Sequence, residues 1–111
     1  MALINLGLLS DFASGTLTLI KNEYADFLVI CTTSKSYLVI PPSCPHMNAS
    51  LCDGFFDGEV ITCEKHLWQW NGSSGTAMGI AELPLNIYES TLKDGCLHVN
   101  FLKELKYDYL D

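Results

Sequence analysis

Short apolar runs separated by turn residues set the pattern of this chain. Residues 16–20 (TLTLI) alternate polar and apolar positions, the two-residue period of a half-buried strand. Residues 26–32 (DFLVICT) and 36–40 (SYLVI) are almost continuously apolar and flank the polar Thr33-Ser34-Lys35, which predicts a hairpin. Pro41-Pro42 ends that unit, because neither residue can donate to a strand ladder. Residues 59–63 (EVITC) and 67–70 (LWQW) predict two more strands, followed by an Asn71-Gly72 turn. Residues 85–92 (LNIYESTL) and 96–102 (CLHVNFL) are separated by Lys93-Asp94-Gly95, and Asp-Gly is a strong hairpin signal. Residues 101–110 fit either one helical turn or a tail strand.

The expected architecture is all-β, with about eight to ten short strands and little helix. At 111 residues the chain makes one domain. Residues from about 41 to 75 read as an insertion carried on a base built from about 1–40 and 76–111. Loops held above a rigid sheet are the usual place for chemistry.

Charge narrows the possible partners. The net charge is −7, with only six Lys and Arg, which excludes nucleic acid because its binding needs a basic face. An acidic surface suits reversible docking on a positively charged patch. No apolar run approaches the roughly eighteen residues of a membrane span. The N-terminal MALINLGLLSDF is apolar but has no Lys or Arg in front, so it makes a poor signal peptide. A cytoplasmic address is expected, and there five cysteines read as metal ligands or reduced thiols before disulfides.

Two Cys–His pairs carry the candidate chemistry. Cys44-Pro45-His46 and Cys63-Glu64-Lys65-His66 are spaced C-x-H and C-x-x-H, with sixteen residues between them. By residue type alone, Cys44, His46, Cys63 and His66 could form a structural zinc site and the chain a zinc-stabilised interaction module. Zinc knuckles usually pair like ligands, however, whereas here each loop offers one sulfur and one nitrogen. That mixed pairing suits a metal centre with two different ends. In a [2Fe–2S] cluster held by two Cys and two His, one iron takes both thiolates and the other both imidazoles.

These residues resemble the Rieske iron–sulfur proteins, whose C-x-H and C-x-x-H pattern they satisfy in full. Leu51, Gly54 and Gly58 in the inter-loop stretch agree as well, and the resemblance covers roughly residues 40–99. It implies a Rieske fold: an antiparallel β-sandwich or barrel base with a small inserted cluster-binding β subdomain. It implies one [2Fe–2S] cluster, with Cys44 and Cys63 on the inner iron and His46 and His66 on the outer. Membrane-complex members carry two further cysteines that bridge the loops; Ala49 and Lys65 stand at those places. Trp68 and Trp70 stand where those members place Ser and Tyr hydroxyls that bond the cluster sulfurs. Without those hydroxyls, the potential is expected toward the low end of about −150 to +300 mV.

His66-Leu67-Trp68 is similar to the second ligand loop in Rieske ferredoxins of bacterial aromatic and alkene monooxygenases. The ferredoxins of aromatic-ring dioxygenases are similar, with a more polar loop there. The resemblance implies a monomeric electron carrier, not an enzyme, docking transiently on a flavin-containing NADH reductase and a terminal oxygenase, with the monooxygenase system favoured. Residues 73–84 contain no Pro before Pro84, although the family commonly has a proline-bearing loop over the cluster; Ala77, Met78 and Gly79 are the candidates for that cover. His98 reads as a strand-face residue, and Cys31 and Cys96 as buried apolar thiols. Cys52 has no cysteine placed to meet it.

Overall fold

The computed structural model describes residues 2–42, 51, 54–63, 68–79, 81, 83–103 and 105. Ten strands run in three antiparallel sheets. The base sheet has the order β1 (Ala2–Leu8), β10 (Cys96–Phe101), β9 (Ser90–Lys93). The middle sheet is β2 (Thr16–Lys21), β3 (Asp26–Cys31), β4 (Tyr37–Ile40). The third sheet is β5 (Phe55–Phe56), β6 (Val60–Thr62), β7 (Gln69–Asn71), β8 (Ala77–Met78). The fold is the expected all-β antiparallel one, and no closed barrel forms among the described residues.

The continuous apolar runs have a simple cause. Successive side chains of a strand point to opposite faces, and both faces of the middle sheet are covered. Leu28 and Ile30 of β3, with Leu38 and Ile40 of β4, enter an upper apolar cluster that also holds Ile61, Trp70 and Leu85. Phe27, Val29 and Cys31, with Val39, enter a lower cluster with Leu6, Leu97, Val99 and Tyr88. Phe27 meets Tyr88 edge-on, ring centres 4.9 Å apart, which suits the aromatic quadrupole. β2 lies at the sheet edge, where burial does not follow the sequence alternation: Leu17 packs on the upper cluster and Ile20 on the lower, while Leu19 is exposed.

Two hairpins close as their turn residues predict. Asp94 (φ 53°) and Gly95 (φ 74°) form a two-residue turn, with both residues in the left-handed region that matches strand twist. Between β3 and β4, the buried Thr32 hydroxyl receives the Ser36 N–H at 3.0 Å.

The structure departs from the sequence expectation in two places. The N-terminal stretch is a strand, β1, which pairs with β10 in the register Ile4↔Val99 and is bulged between Asn5 and Gly7. Its partner lies at the far end of the chain, so no local turn signal marks it. Residues 85–92 do not form one strand; only Ser90–Lys93 does. The preceding residues distribute their backbone hydrogen bonds among separate partners. Leu85 N–H goes to Gly75 O at 2.9 Å, Tyr88 N–H to Val39 O at 2.8 Å, and Glu89 O accepts from Asn100 N–H at 2.8 Å. This stretch crosses between the sheets and stitches them together. The C-terminal helix-or-strand alternative falls mainly on residues outside the described ones.

The middle and third sheets are pinned at the β5–β6 turn. Thr33 N–H donates to Gly58 O at 2.9 Å, and the Thr33 hydroxyl donates to the Glu59 carboxylate. A Cβ on Gly58, whose φ is +106°, would lie 2.5 Å from Thr33 Cγ2. Gly58→Ala is expected to cost about 2 kcal/mol from strained backbone plus overlap. In a Thr33→Ser background, which removes that methyl but keeps the hydroxyl, urea unfolding should return part of the loss.

Candidate metal centre

The third sheet is built to present two loop bases side by side. β6 leaves the β5–β6 turn, where the Asp57 carboxylate accepts the N–H groups of Val60 at 2.8 Å and Glu59 at 2.9 Å. Those two donors, Val60 first, hold the Asp57 carboxyl below the usual aspartate range. β6 then delivers Cys63, fully buried in the upper cluster beside Leu51, Ile61, Trp68 and Trp70. Cys63 N–H donates to Trp68 O at 2.8 Å, which closes the base of the segment 64–67.

The other segment closes in the same way. Leu51 N–H donates to Pro42 O at 2.6 Å, so the chain leaves at Pro42 and returns at Leu51 across residues 43–50. The two bases are then pressed together. Gly54 N–H donates to Leu51 O at 3.1 Å, and a Cβ on Gly54 would lie 2.1 Å from Thr62 O, the residue before Cys63. Only glycine allows that backbone approach. Sequence reading marked Gly54 as an inter-loop residue, but nothing local in the sequence pairs it with Thr62.

Of the four predicted ligands, Cys63 is placed at the foot of its loop, and Cys44, His46 and His66 lie outside the described residues. So do Ala49, Cys52, Asp53, Glu64, Lys65 and Leu67. Cys63 fits the proposed donor set: a thiolate for an inner iron belongs in a dry, apolar position, and a metal keeps such a sulfur ionised. The other two described thiols lie elsewhere. Cys31 is buried in the lower cluster, whereas Cys96 is only half-buried at the start of β10, a correction to the expected burial. His98 sits on β10 of the base sheet as a strand-face residue, opposite Asn5 and Thr91. Its Nδ1 is buried without a hydrogen-bond partner among the described residues.

The Trp70 indole donor is committed to the backbone, its Nε1–H going to Leu83 O at 2.8 Å. Trp68 packs on Trp70 at 6.3 Å between ring centres, tilted 58°. On the outer face of this sheet Phe55 is 70% exposed, and Gln69 bonds the Thr62 hydroxyl at 3.2 Å. No helix among the described residues is long and apolar enough to cross a membrane.

An all-β chain whose two loop bases close side by side offers one buried thiol to a metal. Comparison with known proteins identifies the family. The Rieske [2Fe-2S] domain model matches residues 4–89, and the chain belongs to that family. The chain is 40% identical over 83 residues to the methanesulfonate monooxygenase ferredoxin subunit of Methylosulfonomonas methylovora, covering 74% of this chain and 68% of that one. It is 30% identical over 91 residues to ferredoxin CarAc of Metapseudomonas resinovorans, covering 81% and 85%. Among solved structures, it resembles the complex of reduced oxygenase and oxidized ferredoxin in carbazole 1,9a-dioxygenase. That match has a TM-score of 0.76 and 26% identity over 94% of this chain and 97% of the other. The protein is thus an electron-transfer ferredoxin and not the catalytic oxygenase component, and its expected cofactor is one Rieske-type [2Fe–2S] cluster. The zinc-module alternative falls with that assignment.

Two outcomes follow from this geometry. Gly54→Ala is expected to cost about 3 kcal/mol in chemical denaturation, because the clash is with backbone and not with a side-chain end, and to lower iron bound per chain. The Asp57 side chain should titrate, by NMR, below the ordinary value of about 3.9. Its contribution to stability is then present above that value and lost as pH falls through the lowered pKa, and Asp57→Asn should remove this acid dependence.

Proposed function

We propose that this ferredoxin carries single electrons to the terminal oxygenase of a Rieske aromatic-ring dioxygenase system. The monooxygenase system favoured by the His66-Leu67-Trp68 resemblance is replaced here. The matched complex is that of a carbazole dioxygenase. The related monooxygenase subunit is named for methanesulfonate, which is neither an arene nor an alkene. In this reading Cys44 and Cys63 hold the inner iron and His46 and His66 the outer one, within a cluster-binding subdomain of about 41–75. The cluster, when bound, supplies one-electron redox chemistry. The chain's own part is to fix the ligand loops, keep the sulfur side dry and present the imidazole side to partners.

The observation that carries this reading is the paired closure of the two loop bases, Pro42 to Leu51 and Cys63 to Trp68, over one buried apolar cluster. A rigid, preformed support keeps reorganisation small when the electron arrives or leaves. The electron comes from a flavin-containing NADH reductase, and both partners dock transiently on a cytoplasmic monomer. Trp70 spends its N–H on Leu83, which supports a potential toward the low end of about −150 to +300 mV.

The purified protein should be reddish-brown, carry two irons per chain, bleach with dithionite and give a Rieske-type electron paramagnetic resonance signal. Cys63→Ser should abolish the colour. With a flavin reductase, NADH and the oxygenase of a carbazole-type dioxygenase, it should support ring dihydroxylation, and more salt should slow its reduction. Support for an arene monooxygenase alone would overturn the choice of system, and a colourless, zinc-binding protein would overturn the whole reading.

A further inference from the structure

The two tryptophans after the second Cys–His pair are not required by electron transfer as such. Trp70 is fully buried, and a buried indole N–H must find an acceptor. It bonds to the backbone carbonyl of Leu83 at 2.8 Å. That carbonyl belongs to the connection between β8 and the stretch leading to β9.

The connection has three holds. It starts with a turn at Gly79, φ +60°, in which Ala81 N–H donates to Met78 O at 3.1 Å. It ends where Leu85 N–H donates to Gly75 O at 2.9 Å. Between these lies the indole bond. Leu85 and Ala81 pack into the apolar cluster that contains Cys63, Leu51 and Trp68. Leu83 itself is 49% exposed and Pro84 is exposed, so apolar burial does not hold these two residues. The hydrogen bond from a buried donor does.

We propose that Trp70 is a positioning residue whose indole N–H clamps the Leu83 backbone, and with it the flanking Ala81 and Leu85, over the apolar cluster around Cys63. The clamp holds them as the water-excluding cover on the sulfur side of the [2Fe–2S] cluster. This rests on the Rieske reading above and revises the expected cover: Ala77 and Met78 are used in β8, paired with Trp70 and Gln69. Trp68 completes the arrangement by leaning on Trp70 while its carbonyl receives the Cys63 N–H. The residue that fastens the cover thus sits in register between the strand ending at Cys63 and the strand starting the cover.

Trp70→Phe keeps a ring in the cluster and removes only the donor. Iron loss to a chelator should accelerate by about tenfold, the scale on which outer contacts govern metal retention. Water reaching the cluster stabilises its more negative reduced form, so the redox equilibrium with a reference dye should shift toward reduced protein. Val99→Ala, which trims the lower apolar cluster away from Trp70, should lower thermal stability while leaving dye equilibrium and iron loss near the parent values. Unchanged iron loss and potential in Trp70→Phe, or equal changes in Val99→Ala, would overturn the proposal. The parent protein provides a second, cluster-independent measurement: the Trp70 indole N–H should exchange slowly with solvent deuterium. Rapid exchange would refute the clamp even if Trp70→Phe failed to fold. A protein without iron would sink the Rieske reading and leave the exchange result standing, so the two failures are distinguishable.

Discussion

β3 and β4 have no solvent face: Leu28, Ile30, Leu38 and Ile40 enter one apolar cluster, and Phe27, Val29, Cys31 and Val39 enter the other. Each such side chain contributes about 2 kcal/mol on burial, and truncating one costs about 2–5 kcal/mol. A two-sided middle sheet is therefore the constraint under which everything else is arranged. It lets a chain of this size carry two cores, one that holds the base together and one that supports the loops.

The upper core links that constraint to function. Cys63 sits in the same cluster as Leu28 and Ile30, so the foot of the second loop is packed directly into the most buried part of the protein. Leu51, at the foot of the first loop, occupies the same cluster, and the Gly54–Thr62 approach leaves no room for the feet to separate. Proteins commonly place reactive groups on loops, and precision then depends on how tightly the loop ends are held. Here both ends of both segments are hydrogen-bonded to each other.

The position of the polar donors matters as much as the packing. An indole that spends its N–H on Leu83 does not stabilise the reduced cluster directly, but it fastens the cover that limits water. Asp57 and Thr33 act at the other end of β6, where carboxylate and hydroxyl bonds hold the turn and dock it on the β3–β4 loop. The third sheet is thus anchored at the turn end through side chains and at the loop end through apolar burial.

The short-range parts of this structure were legible from residue order. The Asp94-Gly95 hairpin, the β3–β4 pair and the all-β class follow from turn chemistry and strand periodicity, because those signals act over a few residues. The C-x-H and C-x-x-H pairs pointed to the family for a similar reason: a Rieske-type cluster has two unlike irons, and the family's unlike ligands recur at close spacing. What the chain order could not supply was anything decided by partners far apart in sequence. The pairing of β1 with β10 had no local mark, and residues 85–89 looked like a strand although their hydrogen bonds go to Gly75, Val39 and Asn100 in turn. The contact of Gly54 with Thr62 and the bond from Trp70 to Leu83 belong to the same class. Local composition determines which segments are extended and which ligands are offered. Only tertiary packing decides which backbone carbonyl a buried donor meets, because that choice is made by neighbours brought together in space.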